Sequence, residues 1–310
     1  ARHGTTVRPE LVEIVRAADG LMLGPMATYD FKDAARGEIN PSMHFRKELD
    51  LYANIRPART YDRVPTRVSP FDLVVVRENT EGFYADRNMA SGGSEMLVTE
   101  DVVVPLRRIT RACCARIAET AFELAMTRGR HVTIVHKANV LKLGDGMFIE
   151  ECLRVAARYP EVRVDDVIVD AMMAHVVRAP ERFDVIVTTN MFGDILSDLT
   201  AELSGSLGLG GSLNAGRDHA MGQAAHGSAP DIAGRDIANP FSVILSAGQL
   251  LGWHGQRLGS DPRAAAFAQA AAGVEAAVAG AVAAGEATAD VGGELGTAAT
   301  GAAVAARLLA

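Results

Sequence analysis

Apolar positions along the chain recur with two periods. Short apolar runs at 20–24 and 71–76 and the β-branched run after Phe183 read as buried strands, and 131–135 and 162–169 as two more. Residues 8–18, 106–127 and 240–254 carry the i, i+3, i+4 spacing of helices, the last of them buried. A further helix starts at Pro41, a residue suited to a first helical turn, with Met43, Leu49 and Leu51 on its apolar side. The alanine-rich remainder predicts two helices separated by EATADVGGELGT. Polar, Gly-punctuated segments at 28–40 and 226–239 read as loops, and 83–104 as a hairpin or an arm.

One stretch, FDVIVTTNMFGDILSDLTAEL (183–203), organises the rest. Its strand passes into a helix expected to start near Phe192 or Gly193, which puts Asp194 and Asp198 on one face, one turn apart. The strand's C-terminal end is where open α/β sheets bind ligands. Two hard oxygen donors there suit Mg²⁺ or Mn²⁺ better than zinc. Taken alone, an Asp pair on a helix is a solvated face. The weight comes from repetition, because three successive strands end in polar residues: Lys137 and Asn139, then Asp170, then Asp194 and Asp198.

At 310 residues, 48% hydrophobic and 22% charged, the chain has room for a large core or two domains. Its net charge of −7, with 31 basic residues dispersed, leaves no basic stripe for nucleic acid. Partners are expected to be small molecules or a second copy. Glu, Asp, Arg and Gly interrupt the alanine-rich third, so no apolar run approaches 18 residues and a membrane span is excluded. Cys113, Cys114 and Cys152 form no disulfide framework, which fits a cytoplasmic protein. The chain opens on ARHGTTVRPELVEIV, without a signal peptide or initiating Met, so its true start is expected upstream.

Arg46, Arg56 and Arg77 fall at element ends, and three converging guanidinium forks would hold a di- or tricarboxylate. Unless they converge they are three unrelated surface arginines. Lys137 and Tyr84 are candidate acid/base groups. There is no G-x-x-x-x-G-K-[ST], H-E-x-x-H or G-x-S-x-G, and 205–211 fails G-x-G-x-x-G because Leu213 stands where the last Gly belongs. An ordinary Rossmann site is not supported.

The runs LDLYANIRP, VVRENTEGFY, VHKANVLK, DAMMAH, NMFGDILSD, HGSAPDIAG and TADVGGELGT resemble, in this order, the motifs of the isocitrate/isopropylmalate dehydrogenase family of β-decarboxylating dehydrogenases. The resemblance implies an α/β two-domain fold with a mixed central sheet. The larger domain would comprise 1–51 and 205–310, and the smaller one, 52–204, would carry the dimer interface and arm. It also implies a strand and a Gly-rich turn of the type GDGIGPE ahead of the first matched segment, which this sequence lacks.

Carried over by residue, the resemblance implies that Arg46, Arg56 and Arg77 clamp substrate carboxylates while Asp194 and Asp198 bind Mg²⁺ or Mn²⁺. Asp170 and Lys137 would come from the other subunit of a homodimer, Lys137 helping to take the proton from the C2 hydroxyl. Tyr84 would supply the final proton, and Asn139 would support substrate or nicotinamide. The cofactor loop would be 226–239, with Gly227, Ala229 and Ile232 along it and His226 and Asn239 near the adenine. Asp231 favours the ribose hydroxyls of NAD over a 2′-phosphate.

Asn40, Pro41, Ser42, Met43 and His44 occupy the substrate-selecting segment and match neither the isopropylmalate nor the isocitrate pattern, whereas RENTEGFY is closer to isocitrate- and tartrate-type members. The expected reaction is NAD- and Mg/Mn-dependent oxidative decarboxylation of a (2R)-hydroxy di- or tricarboxylic acid. The competing expectations are a regulatory, non-catalytic subunit, a metal-dependent hydrolase and a structural dimerisation protein.

Overall fold

Strands 72–78, 131–136, 163–168 and 185–188 form where β-branched residues cluster, whereas 21–23, 213–215 and 220–223 contain none, and the long helices draw on alanine and leucine. A computed structural model describes residues 4–31, 33, 36–84 and 93–309, with Tyr29 described by its backbone alone. The strands are β1 (Leu21–Leu23), β2 (Ala53–Arg59), β3 (Asp72–Glu78), β4 (Glu95–Thr99), β5 (Val102–Pro105), β6 (His131–His136), β7 (Arg163–Ile168), β8 (Val185–Thr188), β9 (Leu213–Ala215) and β10 (Ala220–Gln223). The helices are α1 (Pro9–Ala17), α2 (Pro41–Glu48), α3 (Arg111–Met126), α4 (Lys142–Ala156), α5 (Val169–Arg178), α6 (Asn190–Leu203), α7 (Phe241–Leu258), α8 (Arg263–Ala283) and α9 (Thr297–Leu308).

Eight strands make one mixed sheet in the order β1-β10-β9-β2-β3-β8-β6-β7, the mixed architecture expected. Strands β3, β8, β6 and β7 are parallel, so their C-terminal ends share one edge. Antiparallel β2 brings its own start to that edge, with Asn54 opposite Arg77 and Ala53 opposite Glu78. Pro57 sits inside β2, yet β2 pairs with β9 only from Ala53 to Ile55. The residue without an N–H therefore lies where that side of the strand has no β9 partner.

The strand period of two sorts the core. Val74 and Val76 pack with Ile117, Phe122 and Phe148 on one face, while Leu73 and Val75 pack with Met172, Val176 and Leu196 on the other. A further cluster joins Phe241, Leu245, Val278, Val282 and Val304 of α7, α8 and α9.

Several local expectations change. β1 lies at a sheet margin and is only half-buried. On α2 the inward residues are Ser42 and Phe45, and Met43 is exposed. Helix α3 starts at Arg111, later than the spacing predicts, because Thr110 caps it through a hydrogen bond from Cys113 N to Oγ1 at 3.3 Å. Helix α6 starts earlier than predicted, at Asn190.

By length and composition α8 could cross a membrane, so the interrupting residues do not by themselves exclude a span, contrary to the expectation from sequence. In the fold it packs on α7 and α9 through one face, Val274, Ala277, Val278, Ala281 and Val282. The arm is a β4–β5 hairpin whose Met96, Leu97, Val98, Val102, Val103 and Val104 are all exposed. Residues 85–92 of the predicted arm lie outside the described residues.

Candidate active site

The three arginines converge. Arg77 is the penultimate residue of β3 rather than beyond it, is 2% exposed, and donates from Nε and Nη2 to Asn190 Oδ1 at 3.0 and 2.7 Å. Its Nη1 pairs with Asp194. Arg56, on β2, donates from Nη1 to Asp198 Oδ1 and to Ser197 Oγ, both at 2.8 Å, while its Nη2 lies 3.6 Å from Asp194 Oδ1. Arg46, on α2, reaches Asn79 Oδ1 at 3.2 Å. Tyr84 donates its hydroxyl to Asp194 Oδ2 at 3.0 Å.

Arg46, Arg56, Arg77, Tyr84 and Asp194 line a cleft of about 550 Å³ at the shared strand edge, together with Ser42, Gln223, His226 and Gly227, and Asp198 adjoins it through its ion pair with Arg56. The Ser42 hydroxyl is held by Gln223 Oε1 at 2.8 Å.

Asp194 and Asp198 differ electrostatically although they are one turn apart. Burial pushes both carboxyls up, but Arg77 and Arg56, with the Tyr84 hydroxyl, hold Asp194 below the ordinary aspartate range. At Asp198, burial and the neighbouring Asp194 charge outweigh Arg56, and its carboxyl titrates above that range. Both carboxylates lie against the Arg56 guanidinium, and two hard oxygen donors one helical turn apart are of the kind that suits Mg²⁺ or Mn²⁺. Two side chains fall short of a six-oxygen shell, and among the described residues no group of three His, Cys, Asp or Glu could hold a metal. Further ligands have to come from water, substrate or a second chain.

Lys137, Asn139 and Asp170 stay outside this cleft. Lys137 and Asp170 pair with each other at the ends of β6 and β7, and the Lys137 hydrogen bond holds the Asp170 carboxyl below its usual range. At about 4.8 Å per strand, β6 and β7 lie roughly 10 and 14 Å from β3. Asn139 is exposed in the turn after β6.

Of the predicted cofactor residues, His226 and Gly227 line the cleft. From there the backbone passes through Ala229 in a left-handed conformation (φ 44°) to a 3-10 turn, Pro230–Ile232, that exposes Asp231. Asn239 is engaged internally: its Nδ2 donates to Asp290 Oδ2 and its Oδ1 accepts Phe241 N, each at 2.9 Å.

Sequence reasoning misses Asn54, Asn79 and Asn190, which hold the arginines, and Gln223, which holds Ser42. A signal is available, since three of the four are uncharged polar residues beside the arginine or aspartate motifs.

The sequence profile of the isocitrate/isopropylmalate dehydrogenase family matches residues 1–305. The chain is 39% identical over 308 residues to a 3-isopropylmalate dehydrogenase of Methanothermobacter thermautotrophicus, covering 99% of this chain and 85% of that protein. It is 41% identical over 299 residues to an isocitrate/homoisocitrate dehydrogenase of Thermus thermophilus, covering 96% and 83%. To catalytic subunit 5 of the mitochondrial NAD isocitrate dehydrogenase of Arabidopsis thaliana it is 43% identical over 78% of its length, and there it spans only 62% of the relative.

The crystal structure of isocitrate dehydrogenase from Methylococcus capsulatus superposes with a TM-score of 0.85 at 37% identity, covering 98% of this chain and 86% of that one. Sequence and fold agree, and the chain belongs to the isocitrate/isopropylmalate dehydrogenase family.

Proposed function

We propose that this protein, as a homodimer, catalyses NAD- and Mg²⁺- or Mn²⁺-dependent oxidative decarboxylation of a (2R)-hydroxy acid bearing a second carboxylate. The observation that carries this reading is the convergence of Arg46, Arg56 and Arg77 with Asp194, Asp198 and Tyr84. Guanidinium forks on that scale bind carboxylates bidentately and fix the acid's orientation. A divalent cation held by Asp194 and Asp198 would supply Lewis acidity at the hydroxyl that becomes a ketone. The Tyr84 hydroxyl would return a proton to the product carbon, and Lys137 of a second copy would accept the C2 hydroxyl proton, with that copy's Asp170 completing the metal donors.

Sharing of the site is supported by apolar surface around the Lys137 end. Leu143 is 89% exposed and Val140 65%, and the β4–β5 hairpin shows solvent an apolar face, the pattern of an interface left open. A metal-dependent hydrolase would leave the exposed Asp231 and the HGSAPDIAG loop around it unexplained. The retained Lys137, Tyr84 and aspartates argue for a catalytic rather than a regulatory chain. The core clusters support a domain division near 51/52 and 204/205, because two of them draw only on 52–204. Three buried free thiols favour a reducing compartment, which we take to be the cytoplasm.

The test is an assay of full-length protein with Mn²⁺ and NAD against isocitrate, 3-isopropylmalate, homoisocitrate, tartrate and malate. NADH formation with at least one acid, abolished by chelation, is expected. No NADH with any acid would overturn the reading.

A further inference from the structure

Each of the three guanidinium groups in the cleft rests on an asparagine. Asn79 Oδ1 accepts from Arg46, Asn54 Oδ1 from Arg56 Nε at 2.7 Å, and Asn190 Oδ1 from both Nε and Nη2 of Arg77. All three amides, and that of Asn214, are 0% exposed. A guanidinium only donates, so each Oδ1 has to face its arginine and each Nδ2 has to find an acceptor behind it. The acceptors are present: Glu81 O for Asn190 at 3.0 Å, Leu51 O for Asn79 at 2.9 Å and Ser212 Oγ for Asn54 at 2.8 Å. Asn54 and Asn79 also donate to the same oxygen, Asn214 Oδ1, at 3.2 and 3.1 Å, and Asn214 in turn donates to Met221 O at 3.3 Å.

We propose that Asn54, Asn79 and Asn190 are positioning residues that orient the three arginines through neutral acceptors, adding no negative charge of their own to the clamp, with Asn214 coupling the Arg46 and Arg56 branches. A carboxylate in any of these places would orient a fork equally well but cancel its charge and face a backbone carbonyl or another oxygen. The inference rests on the proposed function for the identity of the acid alone.

The experiment uses full-length protein carrying Asn54→Ala, Asn79→Ala, Asn190→Ala, Asn190→Asp or Asn214→Ser. It measures KM for the oxidised acid, KM for NAD, melting temperature, and calorimetric binding of citrate without metal or NAD. Each alanine variant is expected to weaken acid and citrate binding by about 10- to 100-fold, the loss of a hydrogen bond to a charged group, with KM for NAD changed by less than about two-fold. Asn54→Ala and Asn79→Ala should combine to less than the product of their effects through Asn214, while Asn54→Ala and Asn190→Ala should multiply. Asn190→Asp should not rescue.

Unchanged citrate affinity in the alanine variants, equal rises in both KM values, or wild-type affinity in Asn190→Asp would each overturn the proposal. Should the alanine variants not fold, Asn214→Ser, which touches no arginine, is expected to weaken citrate binding, and unchanged binding there overturns it too. A wild-type protein that binds citrate but oxidises no acid removes the proposed function and leaves this test intact. One that binds no citrate overturns the positioning role.

Discussion

Arg56 and Asp198 are joined by a 2.8 Å ion pair in which the arginine is 9% exposed and the aspartate 55%. The buried partner has other anchors, Asn54 and Ser197, so it keeps its place when the aspartate turns to a cation. Replacing Asp198 with Asn is therefore expected to lower Mn²⁺ affinity at least about 10-fold while NAD binding persists, as titration calorimetry would read. Wild-type Mn²⁺ affinity in that variant would remove Asp198 from the metal site.

Gly193 is the close approach that lets Arg77 reach the cleft. A Cβ there would stand 2.6 Å from Arg77 Cγ and 2.7 Å from its Cβ, with Thr188 Cγ2 at 3.1 Å. Gly193→Ala should cost about 1–3 kcal/mol of stability by overpacking and raise KM for the acid more than KM for NAD. Urea unfolding and steady-state kinetics check both parts, and a variant with unaltered stability and kinetics would contradict them.

Asp231 is exposed on its 3-10 turn beside Ile232, where no cation stands next to it in sequence to meet a 2′-phosphate. The double change Asp231→Lys with Ile232→Tyr is expected to move the ratio of kcat/KM values toward NADP. An unchanged ratio would remove Asp231 from cofactor selection.

The strand and helix segments are legible because apolar periodicity survives in single sequences. The run after Phe183 and the Asp194/Asp198 spacing are together enough to put α6 at the C-terminal end of a buried strand. The arginines are legible only as candidates, since their convergence depends on β2 running antiparallel to β3 and on α2 folding back to Asn79, which periodicity does not encode. The asparagines are legible only as uncharged polar residues beside the arginine and aspartate motifs, not as partners of a particular side chain. A buried amide carries no periodic or charge signature, and its role emerges only with the guanidinium it faces. Boundaries slip where a cap decides them, as Thr110 does for α3.

Asp290 offers a pH test away from the cleft. Partial desolvation works against its charge, but hydrogen bonds from Ser206 (2.6 Å), Thr288 (2.5 Å) and Asn239 (2.9 Å) hold its carboxyl below the usual range. A depressed carboxyl contributes stability that is complete above its unfolded value of about 3.9 and is lost as pH falls through the folded one. Asp290→Asn should therefore be less stable than wild type near neutrality, with the gap closing below pH about 4. A gap independent of pH in urea unfolding would show that the carboxylate charge contributes nothing.

The Lys137–Asp170 pair lies two to three strands from Arg77 in its own chain. On the shared-site reading, those two residues serve a neighbour's chemistry and are idle in a solitary molecule. Specific activity should then fall as the enzyme is diluted past its self-association constant and recover on concentration, even though every chain stays folded throughout.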